Sequence, residues 1–291
     1  MAQVAEKLQP WLASLEERPR GGSRWLQDLR DHAASRFVEL GFPTVRDEEW
    51  RFTNVSPIAS TEFKLAPPST LAPEALASFL SADAPLRLVI VNGRFSPELS
   101  RTSGLPAGLK FGSLATAVTD HADVVGRYLG QLADPKGRAF TALNTAFTHD
   151  GAYVYVPDGL VFDQPLQILF VATAEGPIAS MSHPRTLIVC GDHSQVQIVE
   201  TYVSAKGQKH FTNAVTEVVA GEAAVLDHYK IEEESIDAFH MASMHIHAAR
   251  SSNVSNHAFT LGGRIVRNDI VAVLDGEGAE CTVNGLYIAD G

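Results

Sequence analysis

His240, His245, His247 and His257 are the residues whose type and spacing come nearest to a metal site in this sequence. Imidazole nitrogen suits zinc, copper, iron and nickel. His245 and His247 are two positions apart, so on a strand they project to one face, as paired ligands do. Against this, no Asp, Glu or Cys is tightly interleaved with them to complete a set of three or four ligands. The competing reading makes them surface or interface histidines on stacked strands.

Carboxylates give further candidates. Glu232-Glu233-Glu234 could attract iron, or could be a solvated strand end or loop, as charge runs commonly are. Asp47-Glu48-Glu49-Trp50 sets acids beside an aromatic, and its expected role is local. There the acids serve solubility or a cap, while Trp50 and Phe52 pack down. Asp227, Asp237, Asp269 and Asp275 would be the carboxylates of a polysaccharide lyase or hydrolase. No two of them are close enough in sequence, or at a matching phase, to build a catalytic ladder. Gly262-Gly263, Gly276 and Gly278 read as turn glycines. They lack the strand-to-helix context of a phosphate loop, and no G-x-x-x-x-G-K-[ST] occurs, so nucleotide hydrolysis is not expected.

The elements that must position these groups fall into a helical beginning and a β-rich remainder. Trp25, Leu26, Leu29, Phe37 and Leu40 recur near helical spacing, and Gly41-Phe42-Pro43 supplies a stop. Residues 66–73 read as a linker, and Pro73 fits the first turn of a short helix to about Leu80. Residues 86–91 form a strand pattern ended by Asn92-Gly93. A second helical passage, 113–132, carries Leu114, Val118, Val125 and Leu129. Beyond about Gly151 the pattern changes to short β-branched runs at 153–156, 166–173, 186–189, 196–203, 214–219, 270–274 and 281–288. Breaks at Gly191-Asp192, Gly221-Glu222, Ser251-Ser252 and Asp275-Gly276 recur at intervals of about 30, 30 and 25 residues, which suggests stacked coils. A propeller's recurring Trp-Asp is absent, so a β-solenoid fits better, although spacing alone leaves a β-sandwich open. The expected fold is mainly β, with residues 1–85 mostly helical, 86–150 a mixed transition, and 151–291 the solenoid core.

Composition narrows the partners. Lys+Arg number 23 against Asp+Glu 34, a formal net charge of -11, which disfavours nucleic acid and anionic membrane. No apolar run reaches transmembrane length. Residues 1–10 include Glu6 and Lys7 and lack the apolar core of a secretory signal. The two cysteines, Cys190 and Cys281, form no Cys-x-x-Cys pair, consistent with reduced thiols in a cytoplasmic protein.

Specific strings add an identity. Gly41-Phe42-Pro43-Thr44 precedes Asp47-Glu48-Glu49-Trp50-Arg51-Phe52-Thr53, and Val91-Asn92-Gly93-Arg94-Phe95-Ser96-Pro97-Glu98-Leu99-Ser100 follows. Then come Phe140-Thr141-Ala142-Leu143-Asn144-Thr145-Ala146-Phe147, Asp150-Gly151-Ala152, Pro157-Asp158-Gly159 and His183-Pro184-Arg185-Thr186-Leu187-Ile188-Val189. In that order, from about Gly41 to Gly291, they resemble the SufB/SufD family of iron–sulfur cluster assembly proteins, in its SufD branch. The resemblance implies a right-handed parallel β-helix preceded by an α-helical N-terminal segment. It also implies a non-catalytic scaffold in a cytoplasmic complex with SufB and the ATPase SufC. An iron–sulfur cluster would then be held only transiently, in the full complex, and no cofactor stably.

Neither cysteine looks like a cluster ligand by itself. Cys190 closes the apolar run Leu187-Ile188-Val189 and reads as a small buried side chain, and Cys281, beside Val283, reads as equally inert. A cluster normally takes four thiolates, with histidine an occasional replacement, so two isolated cysteines complete no site. A site shared at a subunit interface is the alternative. The final string, Ala289-Asp290-Gly291, resembles the middle of the family's β-helix, so a chain that stops short of the family's C-terminal end is expected. Strand edges left open there would favour a homodimer through the last coils. The family's SufC-docking helices and its late-coil cysteine and histidine match nothing in this sequence. The competing functions are a β-helix polysaccharide lyase or hydrolase and a hexapeptide-repeat acyltransferase. No six-residue repeat supports the last.

Overall fold

The computed structural model describes residues 2–80, 85–173 and 178–288. Two helices come first, α1 (Ala2–Glu16) and α2 (Arg24–Leu40). Helix α2 buries Leu26, Arg30, Ala33, Ala34 and Phe37, a stripe of helical period. It stops at Gly41, whose φ of 64° lets its N–H return to the Phe37 carbonyl. A 3-10 turn at Glu48–Trp50 and the single-turn helix α3 (Ser56–Ala59) lead to strand β1 (Phe63–Leu65). The helix expected at Pro73 is present as a 3-10 stretch, Pro73–Phe79, and sets Leu76 against Val89, Val91, Leu169 and Val171.

Strands β2 (Leu86–Val91) and β3 (Arg94–Phe95) form a hairpin turning at Asn92 and Gly93, both with positive φ. Asn92 secures that turn by donating to the Pro67 carbonyl and accepting from the Thr173 amide, both at 2.8 Å. Strand β4 (Lys110–Ser113) and helices α4 (Leu114–Asp120), α5 (Ala122–Tyr128) and α6 (Ala139–Phe147) complete the passage.

From Gly151 the chain winds. Its coils are β5 (Gly151–Val156) with β6 (Leu166–Ala172), then β7 (Ala179–Ser182) and β8 (Arg185–Cys190) with β9 (Gln195–Ser204). They continue as β10 (His210–Ala220) with β11 (Val225–Glu233), β12 (Phe239–Ala249) with β13 (Asn253–Thr260), and β14 (Ile265–Asp275) with β15 (Glu280–Tyr287). One sheet stacks β5, β8, β10, β12 and β14 in parallel, and the other stacks β2, β6, β9, β11, β13 and β15. The result is a β-solenoid of about four turns with helices at its N-terminal side, and strand exceeds helix, 40% to 23%.

The corners keep the register. Asp158 Oδ1 accepts from the Asp192 amide at 3.0 Å, and Asp192 Oδ1 accepts from the Glu222 amide at 2.8 Å. A Cβ on Gly191 or Gly221 would lie 2.3 Å or 2.5 Å from those same oxygens, so each corner needs a residue without one. The helices cover the first sheet's outer face. Phe37 and Phe140 pack over Phe211, Phe239 and Met241, while Leu114, Val125 and Leu129 pack over Leu187, Val189 and Val219.

Candidate functional site

Inside the solenoid, inward residues line up from coil to coil. In the second sheet Val196, Leu226, Val254 and Cys281 make an apolar column near the strand starts. The next inward positions on β11 are His228, Lys230 and Glu232, stacked on Ile198, Glu200 and Tyr202. The core is therefore apolar at one end of the strands and polar at the other.

That polar end holds a continuous buried network. Lys230 Nζ donates to His240 Nε2 at 2.8 Å and to Asn268 Oδ1 at 2.5 Å, and stands 4.9 Å from the Tyr202 ring centroid. His240 Nδ1 donates to Glu234 Oε2 at 2.7 Å. The other Glu234 oxygen accepts from His210 Nε2 at 2.9 Å and Thr212 Oγ1 at 2.6 Å. Beside it, Glu200 accepts from the Tyr202 hydroxyl at 3.1 Å, with His228 Nε2 3.7 Å away. A cavity of about 20 Å³ lies among Glu200, His228, Lys230, Asn256 and Asn268, enough for a single water.

The electrostatics follow from burial and pairing. Burial lowers Lys230 to about 8, against the pull of Glu200, Glu232 and Glu234. Burial also lowers His240 to about 4, aided by Lys230, so the ring is neutral and can accept from the ammonium while donating to Glu234. For Glu234 burial opposes ionisation, but His240 and His210 outweigh it and hold the carboxyl well below the ordinary range. Burial and the Glu234 charge raise Glu232 to about 7. The arrangement sets an ammonium, an imidazole and a carboxylate in one hydrogen-bonded line, Lys230 to His240 to Glu234. Among the described residues no group of three or more His, Cys, Asp or Glu is placed to hold a metal ion.

The four histidines of the sequence-based metal candidate do not converge. His240 points into the solenoid, His245 and His247 project from the outer face of the first sheet, and His257 stacks on Tyr229 at 5.0 Å on the second. The shared face of His245 and His247 follows from their spacing, but a surface placement is wrong for His240 and His245, which are 0% and 5% exposed. Burial, with Arg185 nearby, lowers His245 to about 4. His247 pairs with Asp275 at 2.9 Å.

The solvated reading of Glu232-Glu233-Glu234 also fails. Only Glu233 is exposed, because the strand's alternation turns Glu232 inward and Glu234 is drawn in by two histidines. Phe52 does not pack down and is 93% exposed, because it sits in an irregular turn with no burial period. Trp50 does pack, 5.4 Å from Phe140. Asp47 stands at the N-cap of the 3-10 turn but makes no capping bond to it, because its carboxylate instead accepts from the preceding Thr44 amide at 2.7 Å.

Asp227 accepts from Ser255, Asp269 pairs with Arg267 and Asp275 with His247, so three of the four aspartates are engaged at separate places and form no groove. Both cysteines are free thiols. Cys190 lies in the small inward column Val156, Cys190, Ala220 and Ala248, and burial pushes its thiol up to about 12. Cys281 faces inward three coils further on and is also raised by burial.

Sequence reasoning missed Glu200, His210, His228, Lys230 and Glu234 as a set. Its one available signal was phase: His228, Lys230 and Glu232 alternate in step with the core residue Leu226. Also missed was the buried pair Arg185 and Glu217, which fastens the helical cover to the sheet. Glu217 accepts from the Gly130, Leu132 and Ala133 amides, and Arg185 donates to Asn144 and Thr145.

Comparison with known proteins assigns the family. A profile described as "SufBD protein N-terminal region" matches residues 16–168, and one described as "SUF system FeS cluster assembly, SufBD core domain" matches 170–291. An iron–sulfur cluster assembly SufBD family protein of Synechocystis is 32% identical over 254 residues, 84% of this chain and 56% of that protein. The iron–sulfur cluster assembly protein SufD of Bacillus subtilis is 28% identical over 78% of this chain and 52% of that protein. SufD of Escherichia coli is 23% identical over 86% and 56% respectively. The chain thus spans about half the length of these relatives. No helix among the described residues is long and apolar enough to cross a membrane. With both profiles matched in order across a helix-fronted β-solenoid, the chain belongs to the SufB/SufD family of iron–sulfur cluster assembly.

Proposed function

We propose that this chain is a SufD-like, non-catalytic scaffold in cytoplasmic iron–sulfur cluster assembly, acting in a complex with SufB and SufC. The cluster is cargo that passes through the full complex and is not stably bound by this chain. The observation that carries the reading is the ordered match of both family profiles to a helix-fronted β-solenoid, whose buried Arg185–Glu217 and His240–Glu234 pairs are engaged with each other. The two thiols support it, since they face separate inward columns and neither is set to hold iron alone. The test is co-purification with SufB and SufC from the same source, alongside a version extended to the length of the relatives. Retention of SufB by both versions supports the scaffold, whereas loss of SufB and SufC by both removes it.

We further propose that the outer edges of β14 and β15 pair with another strand, supplied by a second copy when the chain is alone. Among the described residues both strands are paired on one side only, and Leu274, Val283, Leu286 and Tyr287 are half or more exposed. Sedimentation as a monomer at high concentration overturns the homodimer.

A further inference from the structure

A cleft lies away from the solenoid interior. It has a volume of about 350 Å³, within the range of built ligand pockets. One wall is Leu40, Phe42 and the Glu48–Trp50 turn, the opposite wall is the start of α6 at Arg138 and Phe140, and Met241 and Ser243 of β12 form the floor. The apolar lining is strongly aromatic: the Phe42 and Phe140 rings are 5.7 Å apart and the Trp50 and Phe140 rings 5.4 Å. The rim is acidic. Asp47, Glu48, Glu49 and Asp269 line the cleft against Arg138 and Arg267, and Arg267 is already paired with Asp269 at 2.9 Å.

The chain around the cleft carries apolar side chains that no core absorbs. Leu40 on the rim is 38% exposed, Val45 is 50% exposed, and Phe52, two residues past Trp50, is 93% exposed. Phe52 is not among the residues that line the cleft, but a large aromatic left almost wholly in water two residues from its Trp50 wall is the pattern of an interface anchor.

We propose that this cleft is a docking site for a segment of a partner protein that inserts an apolar side chain flanked by lysine or arginine. The aromatic walls and Met241 receive the apolar side chain, Phe52 offers a further apolar contact outside the cleft, and Asp47, Glu48 and Glu49 face the flanking cations. Charge selects this occupant, since the rim carries two more carboxylates than guanidiniums and the chain as a whole is acidic at -11. The proposal goes beyond the scaffold reading and does not rest on it, because the cleft lies on the outer face of the first sheet, where the side chains of β12 and β14 meet the helical segment, and not on the backbone edge of the last coil.

The probe is a peptide, acetyl-KKFLKK-amide, titrated against the purified chain while tryptophan fluorescence is followed, with acetyl-EEFLEE-amide as the comparison. The expected result is saturable binding of the basic peptide only, with the signal lost in Trp50→Phe. Affinity should fall at least ~10-fold in Glu48→Lys/Glu49→Lys and in Phe52→Ala. All these side chains except Trp50 are exposed, so the latter variants should unfold at the same denaturant concentration as the parent. No saturable signal, equal binding of both peptides, or indifference to the charge reversal overturns the proposal. A photoreactive benzoylphenylalanine in place of Phe52 tests the occupant in cells. A cross-link to a Lys- or Arg-flanked apolar segment of a different protein supports it. A cross-link to this chain's own sequence, whether a second copy or a longer form, overturns it.

Discussion

Nη2 of Arg185 stands 2.5 Å from Oε1 of Glu217, and the two side chains are 1% and 0% exposed. Arg185 Nε reaches the same oxygen at 3.1 Å, so one guanidinium edge is spent on one carboxylate. The remaining valences tie the pair to the helical cover, through Gly130, Leu132 and Ala133 on the acid side and Asn144 and Thr145 on the basic side. The SufB/SufD core and its N-terminal region are thus joined by hydrogen bonds to a buried ion pair of the core as well as by apolar packing.

Removing one partner strands the other, which costs about 3–5 kcal/mol at such sites. Glu217→Ala should be the more damaging change, since three backbone amides lose their acceptor along with Arg185. Arg185→Met should cost less because those amides still hold the carboxylate. The double variant should be less destabilised than the two single losses added together. Urea unfolding of all four proteins checks the cycle, and strict additivity would show that the pair is not coupled.

The coil period was readable because corners are chemically restrictive. Gly191-Asp192 and Gly221-Glu222 sit where one side chain must accept from the next coil's amide and where no Cβ fits, so their composition betrays their position. The lumen was not readable from composition. Glu232-Glu233-Glu234 looks like a solvated run, and only the phase of His228, Lys230 and Glu232 against Leu226 reveals an inward polar stripe. The partners that make the stripe affordable, His210 and His240, come from the other sheet and have no local signal. Phe52 was misread for the opposite reason: hydrophobicity predicts burial only where a regular period supplies a buried face, and its turn has none.

Glu232 makes the polar end of the lumen sensitive to pH in a defined direction. Its folded pKa, raised to about 7 by burial and then by Glu234, exceeds its ordinary 4.5. Between those values the folded state binds a proton that the unfolded chain does not, so this group's contribution falls as pH rises from 4.5 to 7. Glu232→Gln removes that slope and keeps an oxygen to accept from the Glu234 amide, a bond of 2.9 Å in the parent. The variant should match the parent near pH 4.5 and exceed it by about 1–3 kcal/mol at pH 8. Urea unfolding at the two pH values reads this directly, and a stability difference independent of pH would contradict it.

The thiols should differ in reactivity despite their shared direction of pKa shift. Burial raises both, and the thiolate is the reacting form. Cys190 is 1% exposed inside a closed column, whereas Cys281 is only partly buried. A disulfide reagent such as Ellman's should therefore titrate Cys281 slowly and leave Cys190 untouched until denaturant is added. Cys281→Ser should abolish the native-state signal. Rapid reaction of two thiols in the folded protein would mean that the columns open readily.

Arg267 ties the acidic turn to the solenoid. Its guanidinium carbon lies 4.1 Å from the Trp50 ring centroid, Nη1 donates to Thr53 Oγ1 at 3.2 Å, and Nη2 pairs with Asp269 at 2.9 Å. Stacking of this kind is worth about 0.5–2 kcal/mol, and a lysine, which lacks the planar fork, cannot reproduce it. Arg267→Ala and Arg267→Lys should therefore lower global stability only modestly, since no other core contact is removed. Their larger effect should be local. The amides of Asp47, Trp50 and Thr53, which close successive turns onto Thr44, Asp47 and Trp50, should exchange hydrogen several-fold faster than in the parent. Amides of β10 and β11 should exchange at the parent's rate, because their ladders lie on coils that Arg267 does not reach. Exchange that rises equally in both places would assign Arg267 to the global fold, and unchanged exchange in the turn would show that Trp50 is held by Phe140 alone.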